Sequence, residues 1–252
     1  SMTPITALGS RYGIQGALGR SVKRAASGIT DPTDISDCVV WVDFSDTDNM
    51  FTDAGTTKVS TNGDLIYQVT NKGSGTDFVQ ATESQRPKYY SNSQNGLSTA
   101  YFNSGGFVGG GSYNSANVTL IFVVKSSAID NNTKVLFGIH KVQSVGYSLT
   151  SLKSGQIDAG TPIISLTRSS DIPIIVTTWF ATDTGLLRVN GTSTTGSNYY
   201  SITTSIHIGA YSGKYNISFA RFCEGIVYNR HLSETEYLSV ETYLNNKWAI
   251  YS

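Results

Sequence analysis

From Cys38 onward the chain is a succession of short apolar runs separated by links rich in Gly, Asn and Ser. Cys38-Val39-Val40-Trp41-Val42-Asp43-Phe44 is apolar at successive positions, so both faces of this strand should be buried. Val118–Lys125 (VTLIFVVK), Lys134–Ile139 and Pro173–Ala181 (PIIVTTWFA) repeat the theme with β-branched and aromatic residues, which suit a pleated surface. Leu186–Val189 runs into Asn190-Gly191, a dipeptide that favours the tight turn of a hairpin. Ser205–Ala210 (SIHIGA) and Ile217–Tyr228 complete the series, and links such as Gly105–Gly111 read as breaks between strands. The pattern predicts an all-β sandwich of two antiparallel sheets.

One helix stands out, at the C-terminus. Ser233-Glu234-Thr235-Glu236 is a capping box, with Leu232 and Tyr237 placed as a hydrophobic staple. Tyr237, Val240, Leu244 and Trp248 then recur at spacings of three and four, which puts them on one face. The helix should end near Lys247 and pack against the sandwich.

Residues 1–36 differ. They carry Arg11, Arg20, Lys23 and Arg24 with no acid before Asp31, have Gly at 9, 13, 16, 19 and 28, and show neither period. This segment reads as a flexible leader or as a basic arm that orders on a partner. Residues 37–252 are the domain. The whole chain of 252 residues has 39% hydrophobic residues and only 14% charged ones, with 25 Gly and 15 Tyr, as suits a turn-rich β protein. Its formal net charge of zero argues against a nucleic-acid partner. No stretch approaches the roughly 20 apolar residues of a membrane helix, and no charged segment followed by an apolar run marks a secretory signal.

The segment Phe222–Glu236, followed by Tyr243-Leu244 and Lys247-Trp248, resembles the closing strand and helix of the concanavalin A-like lectin/glucanase superfamily, in its laminin-G-like branch. Val40-Trp41-Val42-Asp43 with Ser45-Asp46 is similar to its opening strand and turn. Gln68–Gly75, Gln80–Thr82, Arg86–Tyr89 and Tyr101–Asn103 resemble landmarks of its bacterial and phage members, in order. The resemblance spans residues 38–250. It implies a jelly-roll sandwich and, through the phage branch, a virion protein of the particle surface: a capsid decoration, fibre or tail component. Its arm would contact other virion proteins, and its domain a cell-surface glycan or a protein. An edge strand or the arm could also carry a homo-oligomer. A stand-alone bacterial carbohydrate-binding module is the alternative, and a glycoside hydrolase a further one.

Glycoside hydrolysis usually needs two carboxylates flanking the bond, and the glucanases' Glu-x-Asp-x-x-Glu strand is absent. Of five glutamates, Glu234, Glu236 and Glu241 belong to the helix, Glu83 stands apart, and Glu224 reads as a partnered carboxylate near the helix. His140, His207 and His231 neighbour no serine elbow, and the alternation Ile206-His207-Ile208 puts His207 on an outer strand face. Cys38 and Cys223 read as two buried free thiols, with a single bridge as the alternative. The expectation is a module without catalysis and without a cofactor. Asp43, Asp46 and Asp48, with Asn49, form a weak calcium candidate lacking the EF-hand pattern. Tyrosines in polar, Gly-rich loops are the remaining signal: Tyr199, Tyr200, Tyr211 and Tyr215 are the sugar-binding candidates, with Tyr89-Tyr90 a third cluster. Trp41, Trp179 and Trp248 read as core.

Overall fold

A computed structural model describes residues 28–103, 105–126, 134–139, 143–147, 151–155, 164–167, 171–181, 184–196, 202–209 and 220–252, with backbone alone at 134–135, 143–147, 151–155, 165 and 167. Two antiparallel sheets face one another, as the succession of apolar runs predicted. The first contains β1 (Cys38–Asp43), β5 (Lys88–Gln94), β6 (Leu97–Phe102), β8 (Thr119–Ser126), β13 (Pro173–Phe180), β14 (Gly185–Val189), β15 (Thr192–Gly196) and β17 (Ala220–Tyr228). Its order is β15-β14-β13-β8-β17-β6-β5. One side of β17 is shared between β6, which pairs with Ala220–Phe222, and β1, which pairs with Glu224–Tyr228.

The second sheet contains β2 (Met50–Phe51), β3 (Gln68–Val69), β4 (Phe78–Val79), β7 (Phe107–Asn114), β9 (Lys134–Ile139), β10 (Gln143–Tyr147), β11 (Ser151–Gly155), β12 (Ile164–Thr167) and β16 (Thr203–Ile208). It runs β12-β11-β10-β9-β16-β7-β4-β3-β2. The Gly105–Gly111 link is therefore corrected, because most of it is strand. A Cβ on Gly110 would come within 2.7 Å of Val40 Cγ2 and 2.9 Å of the Phe78 ring, and its φ of +75° favours glycine. Glycine there lets β7 close onto its neighbours, so residues that look like a break are a condition of packing.

Between the sheets lies a core that includes Val40, Val42, Phe44, Phe102, Phe122, Phe137, Ile206 and Phe222. A second apolar cluster lies on the outer face of the first sheet, where α1 (Glu234–Trp248) packs over it. Trp41, Ile121, Val123, Ile175 and Ile226 contribute from the strands, and Val240, Leu244 and Trp248 from the helix. This double burial is why β1, β8 and β13 read as continuous apolar runs. The helix starts as expected: Ser233 accepts from the Glu236 amide, and Glu236 accepts from the Ser233 amide. It ends on Ala249 in the left-handed conformation. Trp41 and Trp248 are core, whereas Trp179 is half-buried.

Two buried carboxylates pin α1 to the sheet. Glu241 takes a bidentate pair of bonds from Arg188 of β14, at 2.9 and 3.0 Å, and a third from Thr177 of β13 at 2.8 Å. The other is Glu224. At the chain's beginning, the basic residues 11–24 lie outside the described residues. Residues 28–36 lie on the sandwich, where Pro32 is buried and its carbonyl accepts from the Tyr228 hydroxyl at 2.8 Å. Among the described residues no helix is long and apolar enough to cross a membrane.

Candidate functional site

The β5–β6 hairpin builds the most chemically distinctive surface. Asn95 and Gly96 turn it with positive φ at both positions, the geometry of a two-residue hairpin turn. Tyr89, Ala100 and Phe102 face the core, so Lys88, Tyr90, Thr99 and Tyr101 face outward. Across the sheet, Lys88 of β5 stands opposite Tyr101 of β6, Tyr101 opposite Arg221 of β17, and Arg221 opposite Lys125 of β8. With strands about 4.8 Å apart, this row is about 14 Å long. It lies on the same sheet face as α1, toward the sheet edge.

Tyr90 and Tyr101 meet edge to face, with centroids 6.1 Å apart at 80°. The Arg221 guanidinium lies over both rings, 5.1 Å from the Tyr90 centroid and 5.3 Å from that of Tyr101, and donates to Ser93 Oγ at 3.2 Å. Burial pushes the Tyr101 phenol above its ordinary value, with Arg221 working against it, so at neutral pH the hydroxyl remains a donor.

Beside this row an open groove of about 600 Å³ is lined by Leu65, Glu83, Ser84, Arg86, Lys88 and Asn103, among others. Arg86 is its fixed wall. It donates to the carbonyls of Gln80 and Ala81, both at 2.9 Å, and lies 4.8 Å from the Tyr67 ring. Lys88 belongs to both groove and row, so the two form one surface with aromatic rings, amide and hydroxyl groups, cations and one carboxylate.

Tyr90 is the one described tyrosine candidate that faces this surface. Tyr199, Tyr200, Tyr211 and Tyr215 lie outside the described residues. Of the third cluster, Tyr89 is core and Tyr90 faces out. The carboxylates of the calcium candidate each turn to lysine: Asp43 to Lys247 (2.7 Å) and Lys72 (3.6 Å), Asp46 to Lys72 (3.1 Å), and Asp48 to Lys58 (2.7 Å). Among the described residues no cluster of three or more His, Cys, Asp or Glu side chains could hold a metal ion. His207 lies on the outer face of β16 but is buried there. Cys38 and Cys223 are free and buried; burial pushes Cys38 up to about 12 and raises Cys223 as well, so neither is a ready thiolate.

Two carboxylates do converge, one of them Glu224, which the sequence marked as partnered near the helix. Asp43 and Glu224 stand directly opposite across β1 and β17, and Lys247 of α1 donates to both, at 2.7 and 2.9 Å. Glu224 is fully buried. It also accepts from Trp41 Nε1 at 2.7 Å, Trp248 Nε1 at 2.8 Å and the Tyr243 hydroxyl at 3.1 Å. Burial first, then Asp43, raises its acid value, while Lys247 and Trp248 hold it down. This pair is sealed beneath the helix and ties α1 to the sheet.

No protein-family model matches the sequence, and no curated protein does. Solved structures match in fold. Domain 4 of AbnA, a GH43 extracellular arabinanase from Geobacillus stearothermophilus, in complex with arabinotriose, aligns with a TM-score of 0.51 at 12% identity, over 81% of this chain and 98% of its own. A GH54 α-L-arabinofuranosidase variant aligns at 0.62 and 11% identity, over 81% of this chain and 62% of its own. Trypanosoma rangeli sialidase in complex with sialic acid aligns at 0.51 and 14% identity, over 84% of this chain and 33% of its own. The chain thus spans a third of the sialidase, under two thirds of the arabinofuranosidase and nearly all of the AbnA domain. At these identities the likeness is one of fold: a β-sandwich of the kind carried by carbohydrate-active proteins. It corrects one expectation. The missing glucanase signature pointed to a module without catalysis, yet chains of this fold include glycosidases. Glycoside hydrolysis therefore belongs among the candidate activities.

Proposed function

We propose that this chain is a carbohydrate-recognising β-sandwich domain whose ligand lies across Tyr90, Tyr101 and the adjoining groove. The observation that carries this reading is the half-buried tyrosine pair held edge to face at 6.1 Å next to Lys88, which also lines the groove together with Asn103 and Ser84. Ligand sites combine aromatic faces with a few fixed polar groups. A sugar presents apolar C–H faces to rings and hydroxyls to amides, and both partners are present here. The AbnA domain in complex with arabinotriose, similar over nearly its whole length, supports the reading. The concanavalin A-like resemblance of Phe222–Glu236 is its finer form, and on a phage particle such a surface would serve attachment to a host glycan.

Glycoside hydrolysis is the second reading, favoured by the fold likeness to the arabinofuranosidase and by Glu83 in the groove. One experiment separates them. The full chain and its Tyr101→Ala and Tyr90→Ala variants are titrated with a panel of oligosaccharides, and the same mixtures are assayed for new reducing ends. Recognition predicts saturable binding that weakens at least about tenfold in each variant, as expected for an aromatic anchor, with the sugar left intact. New reducing ends that disappear in Glu83→Gln would establish hydrolysis instead. Binding that neither tyrosine variant weakens would place the ligand elsewhere and sink the site.

A further inference from the structure

The chemistry of the ligand follows from where the described residues leave cations without a counter-charge. Nine Lys and Arg side chains are described. Six of them, Lys58, Lys72, Lys125, Arg188, Arg230 and Lys247, lie within ion-pair distance of a carboxylate. The other three are Arg86, Lys88 and Arg221, which form no ion pair with any described carboxylate. All three border the one surface built by the groove and the tyrosine pair. Among the described residues pairing elsewhere is complete, so this concentration marks a surface short of negative charge.

The local balance points the same way. Arg86, Lys88, Arg221 and Lys125 line or flank the surface, against Glu83 in the groove and Asp171, which is exposed and 3.7 Å from Lys125. Arg86 spends donors on two backbone carbonyls, so it contributes charge and a wall. Arg221 keeps donors beyond its bond to Ser93, and its flat guanidinium suits the two oxygens of a carboxylate or sulfate. Lys88 stands two strands from Arg221, about 10 Å along the row, with Tyr101 between them. Half-buried cations lose part of their hydration, so an anion arriving there is attracted more strongly than at a fully exposed charge.

We propose that the ligand of this surface is an acidic polysaccharide, its rings laid against Tyr90 and Tyr101 and its carboxylate or sulfate groups held by Arg221 and Lys88. The inference rests on the carbohydrate-recognition reading and adds the substrate class. Binding should weaken as salt is raised, because partly exposed charges are screened.

The test uses the full chain and four probes: oligogalacturonate for carboxylate, heparin oligosaccharide for sulfate, arabino-oligosaccharide as a neutral sugar, and polyuridylate as a non-sugar polyanion. The expected result is binding of at least one acidic sugar, at least about tenfold tighter than the neutral one. That affinity should fall about tenfold in Lys88→Gln and in Arg221→Gln, and return in large part with Lys88→Arg. Melting curves verify that each variant is folded; the Lys88 side chain makes no hydrogen bond or ion pair with the described residues, so it gives the cleaner readout. Binding of the neutral sugar alone, lost in Tyr101→Ala but unchanged in Lys88→Gln and Arg221→Gln, overturns the acidic ligand and leaves carbohydrate recognition standing. Failure to bind any sugar overturns both. Tighter binding of polyuridylate than of either acidic sugar overturns the proposal in favour of a nucleic-acid ligand.

Discussion

Lys247→Met lowers the stability of the protein by about 3–5 kcal/mol at neutral pH, the cost of leaving a buried charge without its partner. The ammonium of Lys247 is the shared counter-ion of Asp43 and Glu224, at 2.7 and 2.9 Å. The two carboxylates face each other across adjacent strands. Without Lys247, Asp43 retains Lys72 at 3.6 Å, but Glu224 is left with the neutral donors of Trp41, Trp248 and Tyr243. Methionine fits the aliphatic path of the lysine, so the loss reports charge more than volume. Urea denaturation of both proteins measures it, and a difference under about 1 kcal/mol would mean the tie is no stronger than a surface ion pair.

The pH dependence gives a second, independent reading. Glu224 has a native acid value above its ordinary 4.5, chiefly through burial and then through Asp43. Removing Lys247 raises it further. A carboxylate of this kind takes up its proton in the folded state before the unfolded chain does. Its contribution to stability is therefore fully present below 4.5 and is lost as pH rises through the raised native value. The deficit of Lys247→Met should accordingly shrink as pH falls from neutrality toward 4.5, where a protonated Glu224 no longer needs the ammonium. A deficit that stays constant over that window would assign the loss to packing.

How much of this was legible in the sequence depends on what each residue has to do. β8, β13, β17 and α1 announced themselves because the first sheet is buried on both faces and the helix carries its own capping box. β7 was hidden because its packing against Val40 and Phe78 requires glycine, which otherwise signals a break. The site was only half visible. Asn95-Gly96 between Lys88–Gln94 and Leu97–Phe102 is a hairpin signal that could have located β5 and β6. A regular two-residue hairpin would pair Tyr90 with Tyr101. Instead Asn92 takes a positive φ and the register shifts between Tyr90 and Gln94, which places Lys88 opposite Tyr101 and Tyr90 opposite Thr99. No residue pattern states that shift, yet it is what brings a cation into the tyrosine row. Arg221 could not have been joined to it either, since it arrives on β17, a strand about 120 residues downstream that pairs with β6. Glu224 was legible as a partnered carboxylate; that it shares its lysine with Asp43 needed the β1–β17 register.

Phe222→Ala should cost about 3–5 kcal/mol, the range for truncating a buried aromatic ring. The ring is fully buried where the two sheets meet. It stacks on Phe122 at 5.7 Å and meets Phe44, Phe102 and Phe137 edge to face at 5.9, 6.1 and 5.7 Å. Phe137 comes from β9 of the second sheet, so the cluster bridges the sandwich. Four rings cannot all relax into one vacancy, which keeps the cost high. In a domain of this size such a loss corresponds to a melting temperature lower by about 6–20 °C. Calorimetry or denaturant titration reads the effect, and a loss below about 1 kcal/mol would show that the cluster repacks. Neighbouring positions make the comparison sharper, because β17 turns Phe222 inward and Arg221 outward. Phe222→Ala should therefore lower stability while sparing ligand affinity well below its melting temperature, whereas Arg221→Gln should lower affinity with a far smaller effect on stability. If both variants lost binding and stability together, the outer row would depend on the packing beneath it, and the platform would be part of the core's cooperative unit.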